Sequence, residues 1–257
     1  MNRMIQKKDI KYLISLKNKK FRILNKEFVI EGSKLILDAL QNNQPIKKII
    51  YSNKVNHFDE IRKYAKKNDI DLNICSKKDA ERISDTKNSQ QIFALLKYSP
   101  FSKINSQIKL DGPIIVIEDI SDPGNLGTIL RTCSWFGCNN IMITDNSVEI
   151  YNPKTVRAAM GAHFHIKNIC RDTIENFITY LDDNNYKMLA ADMEGTNITK
   201  YKKVHENWAL FLGNEARGLS KICKEKAQSI HIPGNGKMES LNVAEAASIV
   251  IHYLYKK

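Results

Sequence analysis

Three short segments of this 257-residue chain set glycine beside polar side chains at spacings suited to chemistry. The first holds Asn125, Gly127 and Arg131, in the pattern N-x-G-x-x-x-R. The second runs from Leu212 through Gly213, Asn214 and Glu215 to Gly218 and Leu219. The third, from Ile232 through Pro233, Gly234, Asn235 and Gly236 to Ser240, Leu241, Asn242 and Val243, lies at the mouth of an apolar helix. Glycine lets backbone amides come close to a bound molecule, so each segment reads as a ligand-binding loop. Arg131 is a fixed positive charge that stays protonated near neutrality, suited to holding an anionic oxygen rather than to taking a proton. Taken singly, such glycines make turns, and residues such as Ser240 and Asn242 cap helices. Three loops in succession, carrying Asn125, Arg131, Glu215, Ser240 and Asn242, point instead to one shared site.

The segments need a scaffold that brings them together, and the apolar pattern supplies one. Ile114 to Ile117 is a continuous apolar run, as in a strand covered on both faces. After Ser121-Asp122-Pro123-Gly124, the spacing of Leu126, Ile129, Leu130, Cys133 and Phe136 predicts a helix. Strands are expected at 140–144, 187–191, 208–212 and 230–232, with helices at 154–162, 173–181 and 241–255. Alternation of this kind predicts a parallel sheet flanked by helices, with ligands gathering beyond the carboxyl ends of its strands. The first third predicts a smaller α/β module, with strands at 27–31, 46–51, 70–75 and 92–96 and helices at 33–40, 58–67 and from 78 onward. Residues 98–112 turn polar around Pro100 and read as a linker. The expected division is thus 1–97, 98–112 and 113–257.

Charge divides along the same line. The chain carries a formal net charge of +12, and residues 1–97 hold 22 Lys and Arg against 11 Asp and Glu, the remainder 18 against 17. A basic module joined to a near-neutral one fits a polyanionic partner, nucleic acid first among them. Five cysteines, an odd number without C-x-x-C pairs, indicate reduced thiols; His163 and His165 near Cys170 lack the further ligands of a metal site. The amino-terminal residues Met1 to Lys8 have no apolar run behind them, and no stretch approaches ~18 uninterrupted apolar residues, so a cytoplasmic protein that does not span a membrane is expected. There is no G-x-G-x-x-G after a strand, and Met238 follows Gly236-Lys237 where a phosphate loop needs Ser or Thr. A dinucleotide oxidoreductase or a nucleotide hydrolase is therefore poorly supported.

In this order the three segments, together with Arg157-Ala158-Ala159-Met160-Gly161-Ala162, resemble the motifs of the SpoU/TrmH family of RNA ribose 2′-O-methyltransferases in the SPOUT superfamily, over about residues 113–257. The basic first third is similar to the ribosomal-protein-like RNA substrate-binding domain that many members carry. Gly234 replaces a methionine common after Ile-Pro, and Ala244-Glu245 a small or apolar pair. The resemblance implies a deep trefoil knot in the parallel-sheet domain and a homodimer whose sites use both chains. It also implies S-adenosylmethionine bound around Leu212, Gly213, Ile232, Gly236, Leu241 and Asn242, without a metal. In the family the arginine is cast as the base that takes the ribose proton; a guanidinium being an awkward base, the alternative is that Arg131 steadies the developing alkoxide and the adjacent phosphate. Asn125 and Glu215 would orient Arg131 or the ribose, and Ser240 and Asn242 would shape the loop and cap the last helix. The separate basic module favours large-subunit ribosomal RNA as substrate. A tRNA 2′-O-methyltransferase and a non-catalytic RNA-binding ribosome assembly factor are the alternatives.

Overall fold

The computed structural model describes residues 3–53, 55–201 and 207–255, so the first two residues of the amino-terminal segment read above lie outside it. The chain divides into two compact units. The first comprises residues 1–100 and 151–164, the second 101–150 and 165–257.

The first unit opens with β1 (Arg3–Met4), α1 (Lys7–Ser15) and α2 (Lys19–Asn25). It continues with β2 (Glu27–Glu31), α3 (Ser33–Gln41), β3 (Ile46–Tyr51), α4 (Phe58–Lys67), β4 (Asp71–Ile74), α5 (Lys77–Ile83) and β5 (Ile92–Lys97). Its sheet is mixed, in the order β1-β4-β3-β5-β2, with β5 antiparallel to both neighbours. Ile36, Ala39 and Leu40 of α3 and Ile61 and Ala65 of α4 are buried in one core with Ile49, Ile92 and Ala94.

The second unit is built on β6 (Ile114–Ile117), α6 (Pro123–Phe136) and β7 (Asn140–Thr144). The chain then returns to the first unit as α7 (Pro153–Ala159) and a 3-10 turn at Ala162–Phe164. It resumes the second unit with β8 (Asn168–Asp172), α8 (Ile174–Asp183), β9 (Lys187–Asn197), β10 (Trp208–Leu212), α9 (Lys221–Lys226), β11 (Gln228–His231) and α10 (Val243–Tyr255). All strand pairs are parallel, in the order β11-β9-β10-β6-β7-β8. Ile114, Val116, Ala209 and Phe211 lie fully buried in its core, as expected of strands covered on both faces.

Two expectations about domain limits change. Residues 98–112 are no free linker: Ile104 and Leu110 are buried in the core of the second unit, and Tyr180 and Tyr186 bond the backbone of Leu110. Apolar residues scattered through a polar stretch anchor it where periodicity is too weak to show a helix or strand. The 154–162 helix belongs with the first unit, where Tyr151 stacks 4.4 Å from both Phe28 and Tyr98 and Val156 joins their core. Five short elements, β1, α1, α2, β8 and α9, have no counterpart in the sequence reading. All five cysteines are buried and free, and burial pushes the Cys75 thiol up to about 11.

Candidate active site

The order of the parallel sheet reverses between β6 and β10, which are neighbours although three strands, β7, β8 and β9, lie between them in the chain. Beyond their carboxyl ends the two strands continue into loops that bond to each other, at the switch point where α/β folds bind ligands. After β6 the Glu118 amide donates to the Leu212 carbonyl at 2.9 Å, extending the ladder by one bond. Asp119 then takes a left-handed conformation (φ 53°), held by the Thr144 hydroxyl, which accepts from the Asp119 amide and donates to its carboxylate, both at 2.8 Å.

After β10, Gly213 passes so close to the 218–219 backbone that a Cβ would stand 2.5 Å from the Gly218 carbonyl carbon. Only glycine fits there. Asn214 locks the turn that follows: its side-chain oxygen accepts from the Ala216 and Arg217 amides at 3.0 Å, and its NH2 group donates to the Asp119 carbonyl at 2.8 Å. The turn aims Glu215 at the first turn of α6. That helix begins with Asp122 as its cap, accepting from the Asn125 amide at 2.9 Å, and Pro123 in its first turn.

Glu215 joins the three sequence segments. Its carboxylate accepts from the Ser121 amide (3.2 Å) and hydroxyl (3.0 Å), the Asp122 amide (3.1 Å) and the Asn125 side chain (2.9 Å). Asn125 in turn accepts from the Asn242 side chain at 3.0 Å, and Asn242 caps α10 by accepting from the Ala244 amide at 2.8 Å. Burial alone would raise the Glu215 pKa, but the donors from Asn125, Ser121 and Asp122 outweigh it and hold the carboxyl below its usual range. It is therefore an ionised acceptor at neutral pH.

Of the residues expected from sequence, Asn125, Glu215 and Asn242 form this chain of bonds, and Leu212 and Gly213 lie buried beneath it. Arg131 does not touch Glu215 or Asn125. It lies six residues beyond Asn125 on an exposed face of α6, without a hydrogen-bond or ion-pair partner among the described residues. Six residues rotate a helix by about 240°, which turns the two side chains to different sides. Ser240 is exposed and makes no hydrogen bond among the described residues, Ile232 is half-buried, and Gly236 sits at φ +75° in open space. Leu241 is 48% exposed. No backbone-to-backbone hydrogen bond among the described residues involves 232–241; the Lys237 amide donates to the Asn235 side chain at 3.1 Å, and the rest of the loop offers amides and carbonyls not bonded to other backbone.

One further stretch at this edge was not anticipated. The β9–β11 register jumps from Ser229↔Ala190 to Ile230↔Thr196, so that 191–195 bulge out beyond Ala190, itself paired with Phe211. Gly195 makes the bulge possible, since a Cβ would stand 2.3 Å from the Ser229 carbonyl carbon. Lys224 holds Asp192 at 2.6 Å, and Asp192 accepts from the Glu194 amide at 3.1 Å. A glycine after three polar or flexible residues at a strand end was the available signal. Among the described residues no group of three His, Cys, Asp or Glu is placed to hold a metal ion, and no helix is long and apolar enough to cross a membrane.

Residues 112–252 match the model of the SpoU rRNA Methylase family, and residues 7–94 that of an MRM3-like substrate binding domain. The chain is 29% identical over 242 residues to the 23S rRNA (guanosine(2553)-2′-O)-methyltransferase RlmP of Bacillus subtilis (strain 168), covering 93% of this chain and 92% of that one. It is 27% identical to the mitochondrial rRNA methyltransferase 3 of Xenopus tropicalis, covering 91% and 71%. In three dimensions it is similar to an AdoMet-bound rRNA methyltransferase from Sinorhizobium meliloti, with TM-score 0.86 and 25% identity over 98% of this chain and 95% of the other.

Proposed function

The chain belongs to the SpoU rRNA methylase family, and from that membership we propose that it transfers the methyl group of S-adenosylmethionine to a ribose 2′-hydroxyl of ribosomal RNA. The observation that carries this reading is the bonded chain Glu215–Asn125–Asn242, which ties all three loops into one cluster at the switch point of a parallel sheet.

The cluster suits the cofactor. Its rim combines the exposed, apolar Leu241 and Met238 with a 232–241 backbone that makes no bonds to other backbone, a pairing that fits an adenosyl group's flat ring and polar edge. Leu212, Gly213, Ile232, Gly236, Leu241 and Asn242 would hold it, with the 191–195 bulge closing the far side. When bound, S-adenosylmethionine supplies a sulfonium-activated methyl group as the electrophile. The protein's part is to bring the ribose oxygen in line and to favour the loss of its proton. Arg131 holds the developing alkoxide and the adjacent phosphate, with the phosphate as proton acceptor. Glu215, which bonds the α6 start rather than Arg131, positions Asn125 for the ribose. Ser240 shapes the loop.

Arg131 points out from its own chain, beside Trp135 one turn further on, which is 83% exposed. We therefore read the active form as a homodimer, with this face of α6 against the partner so that each Arg131 serves a shared site. The threading of the chain after β11 into a trefoil knot, and a cytoplasmic location, complete the proposal. Tritium transfer from labelled cofactor into unmodified ribosomal RNA tests it. Wild type labels the RNA and Arg131→Ala does so at least 10²-fold more slowly, about the effect of removing one electrostatic contact to an oxyanion; equal labelling removes Arg131 from the mechanism, and none from wild type on any ribosomal RNA counts against the function.

A further inference from the structure

Three of the large hydrophobic side chains exposed on this protein crowd into one seven-residue helix, α2, of sequence KKFRILN. Phe21 is 41%, Ile23 53% and Leu24 72% exposed. The helix is not loose. Arg22 is turned inward and buried, donating to the Leu16 and Lys17 carbonyls at 2.8 and 2.7 Å, while the Tyr98 hydroxyl donates to the Arg22 carbonyl at 3.1 Å. Asn18 caps the amino end, accepting from the Lys20 amide at 2.9 Å. One side of α2 is thus riveted to its unit, and Lys20, Phe21, Ile23 and Leu24 are left outward.

The charge around this apolar face has one sign. Lys19, Lys20 and Lys26 are exposed and make no ion pair among the described residues, and no acidic residue occurs between Lys17 and Lys26. The next acid, Glu27, is buried and already bonded to Lys47 and to the Tyr12 hydroxyl, both at 2.6 Å. An exposed aromatic ring and aliphatic chains among unneutralised lysines complement one class of ligand closely: bases out of their stack, joined by phosphates.

Resting on the reading of the chain as an RNA enzyme, we propose that the outer face of α2 is a docking surface for unpaired nucleotides of the substrate RNA. In it Phe21 stacks on a base, Leu24 and Ile23 pack beside it, and Lys19, Lys20 and Lys26 bind the flanking phosphates. It deepens that reading by fixing where the basic unit grips the RNA and by requiring that the gripped segment be single-stranded.

Fluorescence anisotropy with a labelled 12-nucleotide single-stranded RNA, and with a duplex of the same sequence, tests this on the full-length protein across a salt series. Phe21→Ala is expected to weaken single-strand binding about tenfold, as loss of one stacked base does, with the salt dependence unchanged. Phe21→Trp should restore it. Lys19→Ala with Lys20→Ala should lower the slope of log K against log salt by about 1.4, two phosphate contacts on a single strand. The same paired change at Lys66 and Lys67, on α4, should leave the slope nearly unaltered. Calorimetry with S-adenosylmethionine on every variant shows that the other unit is intact. If wild type binds cofactor and RNA but the α2 variants bind RNA equally well, this surface is refuted while the enzymatic reading stands. Wild-type binding of neither refutes both. Variants that change the sedimentation coefficient or anionic-vesicle binding but not RNA affinity would assign the face to a second copy or to a membrane surface, and overturn the proposal.

Discussion

Glu215 makes four hydrogen bonds as an anion, all to the start of α6, so its charge fastens that helix to the end of β10. Because its folded pKa is depressed, the stability it contributes is complete above the ordinary glutamate value near ~4.3 and is lost as pH falls through the folded value. Glu215→Gln should therefore be less stable than wild type by about 1 kcal/mol between pH 6 and 8, a modest figure because the carboxylate is exposed. Chemical denaturation should show the two proteins converging below about pH 4; a gap that persists there would assign the loss to packing. Gly213→Ala sets a methyl against backbone and should cost about 1–3 kcal/mol together with cofactor binding, measured by the same denaturation and by calorimetry. At this scale the bonded cluster was legible in part: Asn125, Glu215 and Asn242 stand out because small-residue loops after strands leave them little else to do. What was not legible is direction. Nothing in the spacing of Asn125 and Glu215 shows that the carboxylate braces the helix start and leaves Arg131 on another face, since their contact joins residues ninety positions apart.

Among the elements, α10 depends on the residue that caps it more than its length suggests. Asn242 caps the helix and bonds Asn125 across to α6, so Asn242→Ala removes both and should cost about 1–2 kcal/mol. Thermal unfolding of the variant checks this; an unchanged midpoint would mean that the Thr132–Ser248 contact at 2.8 Å and the α6–α10 packing suffice alone. Strongly apolar elements such as β6, α6 and β10 could be read from the residue types, because burial on one stripe or on both faces leaves its mark there. The elements that escaped are short or lysine-rich. β8 has the residues Asn-Ile-Cys-Arg-Asp at the sheet edge, where only alternate positions need be apolar. The inward residue of α2 is Arg22, so its apolar residues mark the outer face and the usual amphipathic logic is inverted.

At the scale of the molecule, sequence order and compact unit part company over 151–164. Tyr151 fills the space between Phe28 and Tyr98, and Gly161 sits beside the Asp38 carboxylate at φ +90°, a backbone conformation that side chains rarely adopt. A fragment ending at Pro100 should then leave Phe28 and Tyr98 uncovered, bind a hydrophobic dye and melt over a broad range; a sharp, dye-free transition would show that 151–164 adds little to the first unit. Domain limits drawn from the charge split miss this return because charge reports on surface, whereas the returning segment is held by aromatic packing. The split itself, +11 of the +12 lying in residues 1–97, fits one unit for grip and one for chemistry. Mass-spectrometric mapping of ribosomal RNA from cells with and without the gene tests the central claim most directly. We predict one alkali-resistant 2′-O-methyl nucleotide that vanishes with the gene, returns with the wild-type protein and fails to return with Arg131→Ala. An identical set of ribose methylations in both strains would contradict the account.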